Sequence, residues 1–528
     1  MLESCSPGLG GSLDAALDKA RSAIKESRKS PGCFIRNRGP APACWIVTKI
    51  IVQERQQVKL RRKGTSNSQY KRWYNGGSRD EVGLNWRWER QPMTKSVKFH
   101  EMLVSLRRCL EAIPEHRTGH NTQYTIVDAG LGAFSVFFLQ SPSFLAYQQK
   151  MREHHGRDNA KSLFGVEEIP SDGQIRNVLD PIEPKLLREP FWDIYGLLQA
   201  SGHLDDYHNI AGTLLCSLDG TQHHSSQKIH CPNCTVYEHE EGTYYAHTVL
   251  AAVLSAPGHE HVVALAPEFI TPQDGHDKQD CEQQAIKRWV KRNAGRFPEW
   301  GVTILTDDLH SHQPLCELLL EHKFHFILTC KEKSHSALYE EIGLLTKVQG
   351  AVQTMSTRRW TGHHYEQSTY RWVDQVPLRT GADALRTNWC EITIVREDTG
   401  KQTYHSAWVT SHEVTAQTVA DVVAAGRARW KIENETFNVL KRQGYHFEHN
   451  FGHGRQYLSV VLLTLLFLAF LFHTTLHLSC PMVQAIRRAR GARRNFFNDL
   501  RALTQYLYFP GWDEMISFMS HQLELDTS

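Results

Sequence analysis

Three acidic residues occupy positions where a folded protein has little reason to keep a carboxylate. Asp219 and Asp307 follow the apolar, strand-like runs TLLCSL and VTILT, and Glu433 lies on the apolar stripe of a predicted helix. Converging carboxylates repel one another unless divalent cations neutralise them. The pattern therefore predicts a metal-dependent phosphoryl-transfer site, in which two cations held by the three side chains activate a water or a 3′-hydroxyl.

Each aspartate also has an ordinary structural interpretation. Asp219 precedes Gly220, and aspartate before glycine is common in turns. Asp307 is followed by Asp308, and such a pair can end a strand or cap a helix. Because Asp307 comes first after the strand, we expect Asp307 rather than Asp308 to face the cations.

Glu433 shares its predicted helix face with Trp430, Phe437 and Leu440, which follow helical spacing. An unpaired carboxylate buried on that face would cost several kcal/mol, so it needs a partner. Arg429, one helical turn earlier, could supply a structural ion pair, and a metal ion is the alternative partner.

Glu435 is the alternative to Glu433 as the third carboxylate, because it lies nearer to Lys441, although on a more polar face. Arg429 and Lys441 both carry positive charge close to these glutamates. We expect these two side chains to bind the phosphate of a DNA strand in the site.

A second group of potential ligands lies in HCPNCTVYEH and YYAH. Cys231, Cys234, His239 and His247 follow the spacing C-x2-C-x4-H-x7-H. Two thiols separated by two residues are typical of zinc sites, whereas the histidine positions are less standard. The four residues are candidate ligands of a structural zinc. With 30 histidines in the chain, chance proximity is the alternative.

The elements that must position these residues change along the chain. Residues 1–92 carry 18 Lys and Arg against 8 Asp and Glu and lack sustained periodicity. They are interpreted as a disordered or spurious extension, with a DNA-binding arm as the alternative. The remainder is net acidic, so DNA binding there needs local basic patches. Residues 93–208 show helical spacing and predict a helical domain, which could itself bind DNA.

Strands and helices alternate over residues 209–345, in the order of a ribonuclease H-like fold: three strands, a helix, then alternating strands and helices. Residues 346–413 contain a hairpin pattern and predict a β-rich insertion. Residues 414–478 add the helix of Glu433 and a buried apolar helix. The predicted class is therefore α/β, with a ribonuclease H-like core that a β-rich insertion interrupts and a helical domain precedes.

Residues 457–478 are long and apolar enough to cross a bilayer, which makes a membrane-anchored protein an alternative. They form a lone candidate span that contains two histidines, so we expect a buried core helix instead. Residues 479–528 predict a basic helical tail, which could bind DNA phosphates or be a solvated surface helix. The candidate DNA-binding residues of this tail are Arg487, Arg488, Arg490, Arg493 and Arg494.

Four segments in this order resemble bacterial insertion-sequence transposases of the DDE class, in the branch with a β insertion before the last acidic residue. Related members carry a tyrosine–arginine–glutamate–lysine signature. Arg429 and Glu433 match its spacing, whereas Gly426 replaces the tyrosine and Lys441 falls one residue late. The resemblance covers roughly residues 93–500. The segments are LDGTQHHSSQKIHCPNC, PEFITPQDGHDKQDCE, LTDDLHSHQPLCE and AAGRARWKIENETFNVLKRQGYHFEHNFGHG.

The resemblance implies that Asp219, Asp307 and Glu433 form a catalytic triad that uses Mg²⁺ to cut transposon ends and join them to target DNA. We expect a homodimer on DNA, located in the cytoplasm with the nucleoid and without a membrane partner. In similar enzymes a tryptophan of the β insertion can hold a flipped base. The candidates are Trp372, Trp389 and Trp408. The alternatives are a metal-dependent nuclease that does not join strands and a zinc-bearing DNA-binding protein without catalysis.

Overall fold

Six α-helices come first in the part of the chain that the computed structural model describes, which is residues 95–118, 122–272 and 278–525. Their ends follow local signals; for example, Ser171 accepts a hydrogen bond from a backbone amide three residues later and so begins a helix. The predicted extension, residues 1–92, lies outside the described residues. The six helices are α1 (Phe99–Glu111), α2 (Ile126–Phe138), α3 (Phe144–Met151), α4 (His154–Phe164), α5 (Asp172–Leu179) and α6 (Glu189–Ala200).

A mixed sheet of eleven strands follows within the described residues. Nine of the strands lie in the order β2-β3-β1-β6-β7-β11-β10-β9-β8, and the short strands β4 and β5 pair with β3. The neighbours β1, β6 and β7 run parallel, and the other pairs are antiparallel. The strands are β1 (Leu214–Ser226), β2 (Thr235–His239), β3 (Gly242–Ser255), β4 (Val263–Ala264), β5 (Glu268–Phe269), β6 (Val302–Thr306), β7 (His325–Thr329), β8 (Gln353–Trp360), β9 (Tyr365–Pro377), β10 (Arg386–Arg396) and β11 (Gln402–Thr410).

Helices lie between the later strands and form the carboxyl-terminal part of the chain. They are α7 (Lys278–Asn293), α8 (Gln313–Glu321), α9 (Ser336–Thr346), α10 (Val419–Arg427), α11 (Asn438–Arg442), α12 (Leu458–Ser479), α13 (Pro481–Arg490), α14 (Arg493–Tyr506) and α15 (Trp512–Gln522), with a π-helical turn over Ile432–Phe437 between α10 and α11. The chain is thus mixed α/β, with a mostly helical part before a large mixed sheet, which confirms the predicted class at that level.

The β-rich segment that the sequence predicts over residues 346–413 does not form a separate sheet. Its last strand, β11, pairs antiparallel with β7, with Trp408 opposite Thr329 and Thr410 opposite Ile327. This pairing covers the edge that β7 would otherwise leave open, and unpaired edges are a liability for any sheet. The strands of the insertion therefore continue the sheet of the core.

The apolar segment near the carboxyl terminus is a core helix. Among the described helices, α12 is the one long and apolar enough to cross a membrane, and 94% of its most apolar window is buried inside the protein. It packs against α2 and against α6, and its His473 bonds to the Tyr445 hydroxyl (2.7 Å) and to the Phe138 carbonyl (2.9 Å). This burial favours the predicted core helix over the membrane span and is consistent with a soluble protein.

Phe472 on α12 offers a direct test of this packing. Its ring is fully buried, with its centroid 4.7 Å from that of Phe134 and 5.9 Å from that of Phe99. We expect Phe472→Ala to lower the free energy of unfolding by about 3–5 kcal/mol, because it leaves a cavity in a packed core. Urea denaturation measures the loss. Leu145→Ala, at a position that is 58% exposed, is the matched control and should change stability little; equal effects would contradict the buried position of α12.

Candidate functional site

Asp219 lies inside a continuous strand rather than in a turn. Strand β1 extends past it, and Asp219 and Gly220 both pair with β3, opposite Ala251 and Leu250. The turn interpretation of this aspartate is therefore wrong. On its other side β1 pairs with β6 only as far as Ser217, opposite Leu305. Asp219 is thus two residues beyond the last paired position, where β6 ends and one edge of β1 becomes free.

Asp307 directly follows the last residue of β6. Because β1 and β6 are parallel and Ser217 lies opposite Leu305, Asp307 is level with Asp219. Its carboxylate caps a short 3-10 helix by accepting a hydrogen bond from the Leu309 amide at 3.1 Å, as the capping interpretation predicted. That bond uses one carboxylate oxygen. The capping role and a role facing Asp219 are therefore compatible.

Asp308 has different partners. Its carboxylate accepts hydrogen bonds from the Lys331 amide at 2.7 Å and from the Ser334 hydroxyl at 2.5 Å. Although burial raises the pKa of Asp308, hydrogen bonds from His335 and Ser334 hold it below its usual value. The side chain is thus committed to the segment after β7, which supports the choice of Asp307 over Asp308.

Glu433 lies in the π-helical turn, which packs against β1 and β3. The buried Arg429 guanidinium lies between two acidic groups: it donates to Glu433 Oε1 at 2.9 Å and lies 3.8 Å from Asp219 Oδ2. The structural ion pair that the sequence suggested is therefore present, and it includes Asp219 as well as Glu433.

The prediction that Glu433 shares a buried helix face with Trp430, Phe437 and Leu440 is partly wrong. Phe437 and Leu440 are buried, but Trp430 is 50% exposed and the Glu433 side chain is 36% exposed. A π-helical turn has more residues per turn than an α-helix, so it rotates the residues before it relative to those after it. An α-helical spacing therefore assigns Trp430 to the wrong side.

The electrostatics of Asp219 show that the acidic groups act on one another. Burial, more than any other factor, raises the pKa of Asp219 from 3.8 to about 7. Arg429 opposes this rise in the pKa, and the negative charges of Asp307, Glu433 and Glu282 contribute to it. The structure thus brings the three predicted carboxylates into one electrostatic neighbourhood and adds a fourth.

Glu282 on α7 is the acidic residue that the sequence reasoning missed. It is 3% exposed, and its carboxylate lies 3.3 Å from His310 Nε2, which is 3.7 Å from Asp307 Oδ1. A Cβ atom on Gly220 would lie 2.6 Å from Glu282 Oε1, so the glycine permits this close approach. The signal was visible, because Glu282 has helical spacing with three fully buried residues, Ala285, Ile286 and Trp289.

The carboxylates of Asp219, Asp307, Glu433 and Glu282 lie in one neighbourhood with the Arg429 guanidinium. Carboxylate oxygens are hard ligands that suit Mg²⁺. Among the described residues, the groups whose potential ligand atoms all lie within 4.8 Å of one another do not include Asp219, Asp307 and Glu433. One small ion could not contact all three side chains at this spacing.

The proposed zinc ligands are only partly brought together. Cys231, Cys234 and His247 converge, but the fourth member of the cluster is His453, not His239. His239 ends β2 and is exposed, with its ring against Tyr244. His453 follows the Cys pair by more than two hundred residues, so local spacing could not identify it.

The basic residues differ in how freely they could bind DNA. Lys441 pairs with Glu448 at 3.1 Å, and Arg490 pairs with the buried Asp499 at 2.6 Å. Arg493 donates to the Tyr445 hydroxyl, and burial, with the charge of Arg493, lowers the pKa of Arg487 to about 10. These four side chains are paired or partly buried, and their binding to DNA stays a prediction. Arg488 and Arg494 are the exposed candidates.

The three tryptophans proposed to hold a flipped base are all buried: Trp372, Trp389 and Trp408 are 5%, 0% and 2% exposed. None can stack on a base without local opening of the fold. Trp408 has a structural role instead. A Cβ atom on Gly426 would lie 2.7 Å from its ring, which explains why a tyrosine cannot stand at this position.

No protein-family model matches the chain, and no curated protein matches it. The geometry of the carboxylates and the resemblance of the four motifs are therefore the basis for a functional proposal.

The raised pKa of Asp219 predicts a pH dependence of the metal-free protein. A carboxyl group with a pKa of 3.8 when unfolded and about 7 when folded binds its proton more tightly in the folded state. The free energy of unfolding should therefore fall as pH rises from about 4 to about 7, by no more than about 4 kcal/mol. Urea denaturation in EDTA across this range measures the trend. Asp219→Asn should remove this part of it, and identical pH profiles for the two proteins would contradict the assignment.

Proposed function

We propose that this chain is a DNA transposase of the DDE type, which cuts transposon ends and joins them to target DNA. The observation that carries the proposal is the approach of Asp219, Asp307 and Glu433, which come from distant parts of the sequence, with the Arg429 guanidinium between Asp219 and Glu433. A fold that served only its own stability would gain nothing from gathering these like charges.

The topology supports the finer assignment of a ribonuclease H-like core. Strand β1 has an antiparallel neighbour, β3, on one side and two parallel strands, β6 and β7, on the other. The short strands β4 and β5 lie beyond β3, as the third strand of such a core would. The β insertion stands between β7 and the helix of Glu433, as in the transposase branch that the motifs resemble.

The carboxylate oxygens of Asp219, Asp307 and Glu433 would hold the Mg²⁺ ions. Bound there, two ions would activate the attacking water or 3′-hydroxyl and stabilise the leaving oxygen in an in-line displacement. Arg429 would bind a non-bridging phosphate oxygen once the Mg²⁺ ions neutralise Asp219 and Glu433, with which it is paired here. His310 and Glu282 would hold Asp307 in position from the side of α7.

The body of the chain is net acidic, so DNA must be held by local positive charge, for which Arg488 and Arg494 are exposed. Transposition requires two transposon ends to be held together, so we propose a homodimer on DNA. A nuclease that cuts without joining strands would use the same site, and only a joining assay separates the two activities.

Substitution of the triad tests the proposal directly. Asp219→Asn and Glu433→Gln should each reduce Mg²⁺-dependent cleavage of a supercoiled donor plasmid to the level seen without Mg²⁺, because an amide is a poor ligand for the ions. Binding to the transposon end, measured by gel shift, should remain. Glu435→Gln is the matched control on the same turn and should keep cleavage. If either triad variant still cuts, the catalytic assignment is wrong.

A second test compares substitutions of the neighbouring residues Asp307 and Asp308. Asp307→Asn should abolish cleavage, whereas Asp308→Asn should be milder, because Asp308 bonds to the segment after β7. The same plasmid assay, followed by joining of precut ends to target DNA, measures both steps. The reverse order of severity would exchange the roles of the two residues, and cleavage without joining by the intact protein would favour the nuclease.

A further inference from the structure

Four buried side chains that the chemistry of the carboxylates does not use meet near the end of β1, close to the loop that leads to β2. Cys231 and Cys234 lie in the loop between β1 and β2, His247 lies on β3, and His453 lies in the segment that leads to α12. They are 7%, 2%, 2% and 6% exposed, respectively. Soft and borderline ligands of this kind are characteristic of zinc sites rather than magnesium sites.

The distances within this Cys/His cluster match the edges of a coordination tetrahedron. Cys231 Sγ and Cys234 Sγ are 4.0 Å apart, and each lies 3.4 Å from His247 Nε2. His453 Nε2 is also 3.4 Å from Cys234 Sγ. Zn–S bonds of about 2.3 Å and Zn–N bonds of about 2.05 Å give tetrahedral edges of about 3.8 Å between sulfurs and about 3.6 Å between sulfur and nitrogen. The two sulfurs are too far apart for a disulfide bond of about 2.05 Å.

The surroundings orient the ligands. His453 Nδ1 lies 3.1 Å from the Gly454 carbonyl, so Nδ1 carries the proton and the lone pair of Nε2 points at the thiols. The Cys231 amide donates to Cys234 Sγ at 3.5 Å, which stabilises negative charge on that sulfur. Both features are those of side chains that are arranged to bind a metal ion.

We propose that Cys231, Cys234, His247 and His453 bind one structural Zn²⁺ ion. The four side chains complete the coordination, with no position left for water or substrate, so the ion has no catalytic role. Asp219 lies five residues before His224, which pairs with His247, a separation of about 17 Å along a strand. The zinc site is therefore distinct from the carboxylates.

The zinc site joins two parts of the chain that are far apart in sequence. His453 belongs to the segment between α11 and α12, and that segment follows the helix of Glu433. The same segment is also held by Asn233, whose side-chain amide donates to the Gln456 carbonyl at 2.9 Å. Zinc would fasten the chain that follows the helix of Glu433 to the antiparallel strands β1 and β3, and so would fix Glu433 relative to Asp219.

Metal analysis of the intact protein tests this proposal without any assay of DNA chemistry. After purification under reducing conditions and dialysis into buffer with Mg²⁺, mass spectrometry should find about one zinc per chain. Co²⁺ in its place should give the strong visible absorption of tetrahedral coordination and a thiolate charge-transfer band. A strong chelator should lower the thermal midpoint of the wild-type protein.

Substitutions distinguish a ligand set that includes His453 from the one with His239 that local spacing suggests. His453→Ala and Cys234→Ser should lose the zinc, whereas His239→Ala, in the same hairpin, should retain it. His453→Cys should restore binding, and if Cys234→Ser does not fold, this rescue and the Co²⁺ spectrum decide the question. A wild-type chain without zinc, an octahedral Co²⁺ spectrum, a Cys231–Cys234 disulfide, or loss of zinc from His239→Ala would each overturn the proposal.

Discussion

The mutual repulsion of Asp219, Asp307, Glu433 and Glu282 is the constraint on which the rest of the structure depends. Burial is the main reason that the pKa of Asp219 is raised to about 7, and the negative charges of Asp307, Glu433 and Glu282 contribute to this rise. Arg429 offsets only part of this charge. The fold must therefore supply rigid elements that hold the groups in place, and strand β1, bonded to β3 on one side and to β6 on the other as far as Ser217, is such an element.

The helix that carries Glu433 is held at its far end as well as at the sheet. The chain beyond it returns to the core through the segment before α12, where the Asp180 carboxylate accepts hydrogen bonds from the amides of Arg455, Gln456 and Leu458. The proposed zinc ion would act on this same segment through His453. The buried helix α12 then anchors it in the largest apolar core, so the site is supported from several independent directions.

Elements with a strong local signal could be predicted from the sequence. The alternation of strands and helices after residue 209, the β-rich insertion and the burial of α12 all follow from hydrophobic patterning. The sequence also favours Asp307 over Asp308, because Asp307 comes first after β6, and this choice stays a prediction. In contrast, nothing local indicated that β11 would pair with β7, because strand pairing between distant segments depends on the packing of the whole fold.

The incorrect predictions at the two sites also arose because local spacing does not report contacts between distant segments. His239 has acceptable spacing after the Cys pair, but the chain turns it outward and brings in His453 from a distant segment. The buried position predicted for Trp430 assumed a regular α-helix. The π-helical turn changes the angle between successive residues, so Trp430 lies on the exposed side. Glu282 could have been predicted from the sequence. It has helical spacing with the buried apolar residues of α7, which is the criterion that identified Glu433.

Diffraction from crystals of the intact protein grown with Mn²⁺ is the most direct measurement of whether the acidic groups share cations. The anomalous difference map should contain two peaks bounded by the carboxylates of Asp219, Asp307 and Glu433, with Arg429 no longer the nearest positive charge to Asp219. A map without a peak there, at a Mn²⁺ concentration that supports DNA cleavage, would contradict the account.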